Sequence, residues 1–416
     1  MATNTAFSKG FFRDKRLDYR ARGVLGRAVH GGSDIGEVLA TLERISDQDS
    51  WRSAWAATAT RVATLGDELR GQGDRRSAGS AYLRAANYWA CVVDSLSELD
   101  DEPGLLLAFR AHRTAWDGFV DCAHGAHVRL DVPYEGGTLP GFLLRPDASG
   151  ARRPTLVITN GSDGSISGLW GNAAAGAVRR GWNAFVYDGP GQQSMLFERK
   201  TSFRPDWEAV LTPVLDALVS RADVDPAALT GYGVSQGGYW LTRALAFEHR
   251  LVAAVADPGV VDVSTTWTEP LGKTMRGLLD KGDRAAFDRD LKFATAVPKL
   301  RRTLAFRSRP YRAGSDWFDL FNEVREYRVT DEIAARISTP LLVTDPDGEQ
   351  FWPGQSKQLA DLLGDRAHRV EFTAEEGANL HCQPLGRAIT DERMFAWLGG
   401  QLAGAQPLGR SDGGQT

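Results

Sequence analysis

The chain has 416 residues, more than one hydrophobic core usually serves, so a main domain with an accessory layer is expected. With 42% hydrophobic and 25% charged residues and a formal net charge of -4, its make-up is that of an ordinary soluble globular protein and argues against a nucleic-acid binder. Its 3 cysteines, Cys91, Cys122 and Cys382, have no CxxC spacing, which excludes a disulfide framework and supports no structural zinc.

The opening residues lack an apolar stretch of signal-peptide length, and no window of about 18 apolar residues follows, so a cytoplasmic protein without a membrane partner is expected. From Gly10 to Ala126 the pattern is helical, with apolar and small residues at three-to-four spacing in "DIGEVLATLERI", "SWRSAWAATATRVATLGDELR" and "SAGSAYLRAANYWACVVDSL". Trp51, Trp55, Tyr82, Tyr88 and Trp89 interleave with alanines there, as helix packing of large against small residues requires. His124 and His127 in "HGAH" have no third ligand near them in sequence, and the stretch reads as a linker rather than a metal site.

After Ala126 the period changes. "HVRLDVPYEGGTLPGFLLRPD" alternates around a Gly-Gly turn and reads as a two-stranded hairpin. Apolar runs then alternate with helical segments: "TLVITN", "AAAGAVRR", "NAFVYD", "WEAVLTPVLDALVS", "LTGYGVS", "GYWLTRALAF" and "LVAAVAD". Strands apolar throughout and separated by helices are what a parallel sheet covered on both faces needs, so the core is α/β, mostly parallel and doubly wound. Helix-like, aromatic sequence interrupts the alternation before "PLLVTD" and "HRVEFT" resume it. Its basic run "RRTLAFRSRPYR" (301–312) is interleaved with apolar residues and reads as a solvated helix face. The expected organisation is a helical lid over 1–126, a catalytic α/β domain over 127–403 with a helical cap inserted at 260–337, and a disordered tail over 404–416.

"GYGVSQGG" carries G-x-S-x-G between the strand "LTGYGV" and the helix beginning at Gln236, where a nucleophile elbow belongs. A dinucleotide loop would need a third glycine at Gln236, so Ser235 reads as a nucleophile and no cofactor is expected. A serine hydroxyl needs a base, and His381 lies in "EEGANLHCQP", beyond the last strand and before the final helix. The acid that orients it is expected after "PLLVTD", where Asp345, Asp347 and Glu349 compete; Glu349 is favoured because its longer side chain can bend back, with Asp347 as the alternative. Oxyanion donors are expected from the backbone N–H of Gln236 and of Ser162 in "GSDGSISG". Asp163, Asp257, Tyr239 and Trp352 are candidate substrate contacts, Asp257 with a structural role as the rival reading. "DGPGQQ" (188–193) is a second glycine-rich turn at the same sheet edge, with a plain tight turn as its rival reading.

Together, "SAGSAYLRAANYW", "DGPGQ" (Asp188 to Gln192), "GYGVSQGG", "EQFWPGQ" (Glu349 to Gln355) and "GANLHCQ" resemble α/β-hydrolases of the FrsA-like and 2,6-dihydropseudooxynicotine-hydrolase type, with the related fungal pigment-pathway polyketide-shortening hydrolases. The resemblance spans nearly the whole chain. It implies an α/β-hydrolase fold, N-terminal helices over the catalytic entrance, and cleavage of a carbon-carbon bond next to a ketone or of an ester. Ser235 and His381 carry over directly, whereas an aspartate common in the family is Glu349 here. The expected function is therefore a serine hydrolase of a small, partly apolar metabolite, with no metal, and with a homodimer as the assembly left open. The rival readings are an acyltransferase or cyclase, an oligopeptidase-like peptidase, and a partner-binding scaffold without catalysis.

Overall fold

The computed structural model describes residues 10–99 and 101–405. Its first part is helical: α1 (Lys15–Gly26), α2 (Ile35–Leu42), α3 (Gln48–Gly71), α4 (Arg75–Leu96) and α5 (Glu102–Cys122). Each begins on an aspartate whose carboxylate accepts backbone N–H groups of the first turn: Asp14, Asp34, Asp47, Asp74 and Asp101. Such a cap stabilises a helix by about 1 kcal/mol and fixes where it starts. Tyr82 of α4 lies between Gly66 of α3 and Gly118 of α5, where any larger residue would meet its ring, so large packs against small as the sequence requires.

The expected hairpin is two nested ones. β1 (His127–Arg129) pairs antiparallel with β4 (Gly141–Leu144), while β2 (Val132–Tyr134) and β3 (Gly137–Leu139) form a separate two-stranded sheet. Glu135 and Gly136 both have positive φ, a turn whose twist suits a tight hairpin.

The main sheet adds β5 (Arg153–Thr159), β6 (Asn183–Tyr187), β7 (Val224–Val234), β8 (Ala253–Asp257), β9 (Leu341–Pro346) and β10 (Ala367–Phe372). Its 8 strands run in the order β1-β4-β6-β5-β7-β8-β9-β10, parallel from β6 to β10 and antiparallel at β1 and β4. Alternation decides what each strand residue covers. Val157, Phe185, Leu229 and Val343 join an apolar cluster with Trp207, Trp240 and Trp267, while Leu156, Ile158, Val186 and Leu342 join one with Trp51, Trp55, Phe109 and Trp116. The N-terminal helices are thus one continuous core with a sheet face, and truncating a buried Trp there would cost about 3–5 kcal/mol.

Between β8 and β9 stand the helices Thr265–Thr268, Lys273–Lys281, Arg284–Ala294, Pro298–Ser308, Trp317–Val324 and Asp331–Arg336, covering the other face. The basic run is only partly a solvated face: Arg301 and Arg302 are exposed, but Arg307 lies 4.1 Å above the Trp267 ring and Arg309 pairs with Glu102 at 2.8 Å. The last helix, Arg387–Ala405, runs past residue 403, and the rest of the expected tail lies outside the described residues. Among the described residues no helix is long and apolar enough to cross a membrane.

The order of β5, β6 and β7 puts the loops after them on one carboxyl edge, at the point where the winding reverses. Open α/β sheets bind ligands there.

Candidate active site

Ser235 follows the last residue of β7 and precedes the helix Gly237–Ala244. Its φ of 57 lies in the left-handed region, and its N–H is tied to the Asp257 carbonyl at 2.6 Å. A turn this sharp needs small flanks. A Cβ on Gly233 would lie 2.2 Å from the Gly237 carbonyl oxygen, which is why glycine stands there. The serine side chain is thereby lifted off the sheet edge.

Ser235 Oγ lies 2.9 Å from His381 Nε2. His381 Nδ1 lies 2.9 and 2.8 Å from the two carboxylate oxygens of Glu349. Glu349 comes back toward the histidine because the segment after β9 turns: Gly348 N–H binds the Asn379 carbonyl and Glu349 N–H binds that of Pro346. Its Oε1 also accepts the backbone N–H groups of Phe351 (2.8 Å) and Trp352 (3.2 Å), and the Gln350 side chain accepts the His381 N–H at 2.9 Å. Asp347 points elsewhere, accepting from Ala374 N–H at 3.3 Å. Asp345 pairs with Arg369.

The electrostatics follow from burial and contact. Burial works against a charged His381 and is outweighed by the contact with the Glu349 carboxylate, so the imidazole is held well above its ordinary value. Burial would push Glu349 up, but the His381 contact and the two backbone N–H bonds more than reverse it, leaving the carboxyl below its ordinary value. The Cys382 thiol is pushed up to about 11, mainly by burial.

Two backbone N–H groups, that of Gln236 next to Ser235 and that of Ser162 next to Gly161, have no acceptor among the described residues. Gly161 N–H, by contrast, is taken by Asn160 Oδ1 at 2.8 Å. The loop lies close: a Cβ on Gly161 would sit 2.8 Å from Ser235 Cβ and 3.0 Å from the Val234 carbonyl oxygen. Gln236 also brings a buried carboxamide beside the Tyr311 hydroxyl.

The candidate substrate contacts divide. Trp352 is 6% exposed, its ring centroid is 5.6 Å from that of His381, and its indole N–H has no partner among the described residues. Asp163 is exposed at the rim, 3.4 Å from Ser162 Oγ. Asp257 does not face the site: fully buried, it accepts from Thr344 Oγ1 (2.6 Å), Gln383 Nε2 (2.9 Å) and the Tyr232 hydroxyl, bracing the loop that carries His381. Tyr239 does not face it either. It is fully buried against Tyr327 and gives its hydroxyl to the Pro205 carbonyl at 3.1 Å.

One residue at the site has no signal in the sequence. Tyr19 of α1 donates its hydroxyl to the His381 carbonyl at 2.9 Å and packs edge-on to Phe351. Three residues away, Arg16 pairs with Glu98, in the turn just after α4, and covers the Phe306 ring in the segment between β8 and β9. So α1 crosses the site as a roof, held from both sides.

No family model matches the chain. Hydrolase LUC6 from Fusarium sp is 32% identical over 90% of this chain and 94% of that protein. Alpha/beta hydrolase psoB from Aspergillus fumigatus is 33% identical over 72% of this chain and 69% of that protein. Among solved structures, the crystal structure of the 2,6-dihydroxy-pseudo-oxynicotine hydrolase superposes with a TM-score of 0.72 at 16% identity, covering 92% of this chain and 96% of that one.

Proposed function

The chain belongs to the α/β-hydrolase family and is a hydrolase, and on that premise we propose that it cleaves an acyl bond in a small, partly apolar metabolite through an acyl-enzyme on Ser235. The observation that carries this reading is the unbroken relay from Ser235 Oγ through both nitrogens of His381 to Glu349. With Glu349 accepting from Nδ1–H, Nε2 is left as the base that faces the hydroxyl.

Ser235 Oγ attacks the carbonyl carbon while its proton passes to His381 Nε2. The N–H groups of Gln236 and Ser162 take up the negative charge on the former carbonyl oxygen, the step at which preorganised donors contribute most. Collapse breaks the bond to the leaving group, and His381 returns the proton to it: to oxygen for an ester, or to the departing enolate for a carbon-carbon bond next to a ketone. Water, deprotonated by His381, then attacks the acyl-enzyme, and the acid leaves with Ser235 restored.

The roof formed by α1, with Tyr19 on the His381 carbonyl and Arg16 over Phe306, favours a small molecule over a polypeptide. The test is turnover of a 1,3-diketone beside its ester analogue, by the wild type and by Ser235→Ala. Loss of turnover in the variant is expected, and the substrate turned over names the bond; full activity without the hydroxyl would end the reading.

A further inference from the structure

A backbone N–H can stabilise an oxyanion only if its peptide plane is held. In a trans peptide the N–H of Ser162 and the carbonyl of Gly161 belong to one rigid plane and point in opposite directions. Whatever grips the Gly161 oxygen therefore aims the Ser162 N–H. That grip comes from the turn "DGPGQQ" after β6: Gln192 Nε2 donates to the Gly161 carbonyl at 3.1 Å and to the Asn160 carbonyl at 2.9 Å. Its Oε1 accepts Gly189 N–H at 2.9 Å, so the buried carboxamide is bonded at both ends and cannot rotate.

The turn is itself anchored from the N-terminal helices. Asp188, fully buried, accepts from Ser194 Oγ (2.6 Å) and Ser194 N–H (3.2 Å) and pairs with Arg113 of α5. The preceding residue, His112, lies 3.0 Å from Ser167 Oγ, which lies 3.1 Å from Ser165 Oγ, the cap of the short helix that closes the same loop. Adjacent residues of one helix thus hold both ends of the loop beside Ser235. A bonded carbonyl also polarises its peptide, which strengthens the N–H at the other end.

We infer that Gln192 is a positioning residue for oxyanion stabilisation, held in place through Asp188 by Arg113, so that α5 sets the geometry of the site as well as covering it. The inference rests on the serine-nucleophile reading above. Its expected signature is a loss confined to the transition state of a carbonyl substrate. A thionoester separates this from general damage, because sulfur profits little from N–H donors placed for oxygen.

The experiment compares kcat and KM on a p-nitrophenyl ester and its thionoester for wild type, Gln192→Leu, Arg113→Lys and Ser235→Ala, with melting temperatures alongside. Gln192→Leu should lower kcat on the oxoester about 100-fold with KM nearly unchanged, the scale of one lost oxyanion donor. The thionoester should suffer far less, so that the oxo-to-thiono preference falls about tenfold or more. Arg113→Lys should move the preference the same way by less, and it decides the matter if Gln192→Leu does not fold. A wild-type preference in both variants, with Ser235→Ala inactive, would overturn the positioning role alone. Turnover surviving in Ser235→Ala would bring down the nucleophile reading and this inference with it.

Discussion

Two helical layers cover the sheet edge at which Ser235 stands, and they attach to it differently. The N-terminal helices reach the site through directional hydrogen bonds: Tyr19 to the His381 carbonyl, His112 to Ser167, Arg113 to Asp188. The layer between β8 and β9 sets the Tyr311 hydroxyl beside the Gln236 carboxamide, lays the Phe306 ring under Arg16, and leaves Phe293 and Val297 in solvent. Directional bonds fix atomic positions to fractions of an ångström, while apolar faces tolerate shifts and changes of shape. The difference teaches that changes in the first layer should act on rate and changes in the second on which substrate is held.

The largest effect belongs to the relay that both layers enclose. Glu349→Ala should lower kcat by about 10³-fold or more, while Asp347→Ala stays within about threefold, since only the former touches His381. Steady-state kinetics of the two variants checks this. The same contact sets the pH dependence. A base must be neutral, and His381 is held above its ordinary value, so kcat/KM should fall on acidification with its limb above the ordinary imidazole range. Glu349→Gln should move that limb to lower pH as well as slow the reaction.

Next in size is the loop supported by the first layer. Gly161→Ala would press a methyl group against Ser235 and the Val234 carbonyl, and kcat should fall about 100-fold as the donor is displaced. The comparison is sharpest with two tyrosines. Tyr19→Phe removes one hydrogen bond to the His381 loop, about 1 kcal/mol, and should lower kcat several-fold at steady KM. Tyr311→Phe should instead raise KM with kcat nearly held. A Tyr311 variant that loses rate, or a Tyr19 variant that loses only binding, would erase the distinction between the layers. The smallest effect is expected at Phe293→Ser: exposed at 76%, it should change stability by less than about 0.5 kcal/mol and leave kinetics unaltered.

Much of this arrangement is legible in the sequence because its signals are local. Apolar runs such as "TLVITN" and "LVAAVAD" have the length and make-up of buried strands, and they fall largely in β5 and β8. The elbow and the loops bearing Glu349 and His381 stand at predictable ends of such strands, and the side chains of Ser235, His381 and Glu349 lie within hydrogen-bond reach. What the sequence hides depends on distant partners. Tyr19 sits on an amphipathic helix like any other, and nothing near it in sequence marks the histidine it touches 362 residues later. "DGPGQQ" is visible as a turn, yet the role of Gln192 arises only from a carbonyl 31 residues upstream. Tyr239 follows the elbow so closely that it looks placed for substrate, but the helical turn there sends its side chain into the core. The nested hairpins are missed because strands of 3 residues give alternation too little length to separate two pairings from one.

The central claim is a covalent acyl group on one hydroxyl, and mass spectrometry of the protein quenched in acid during turnover tests it most directly. The account predicts an acyl mass increment on the peptide containing Ser235, absent from Ser235→Ala and decaying as product forms. Product released with no such increment, or an increment carried by another residue, would contradict it.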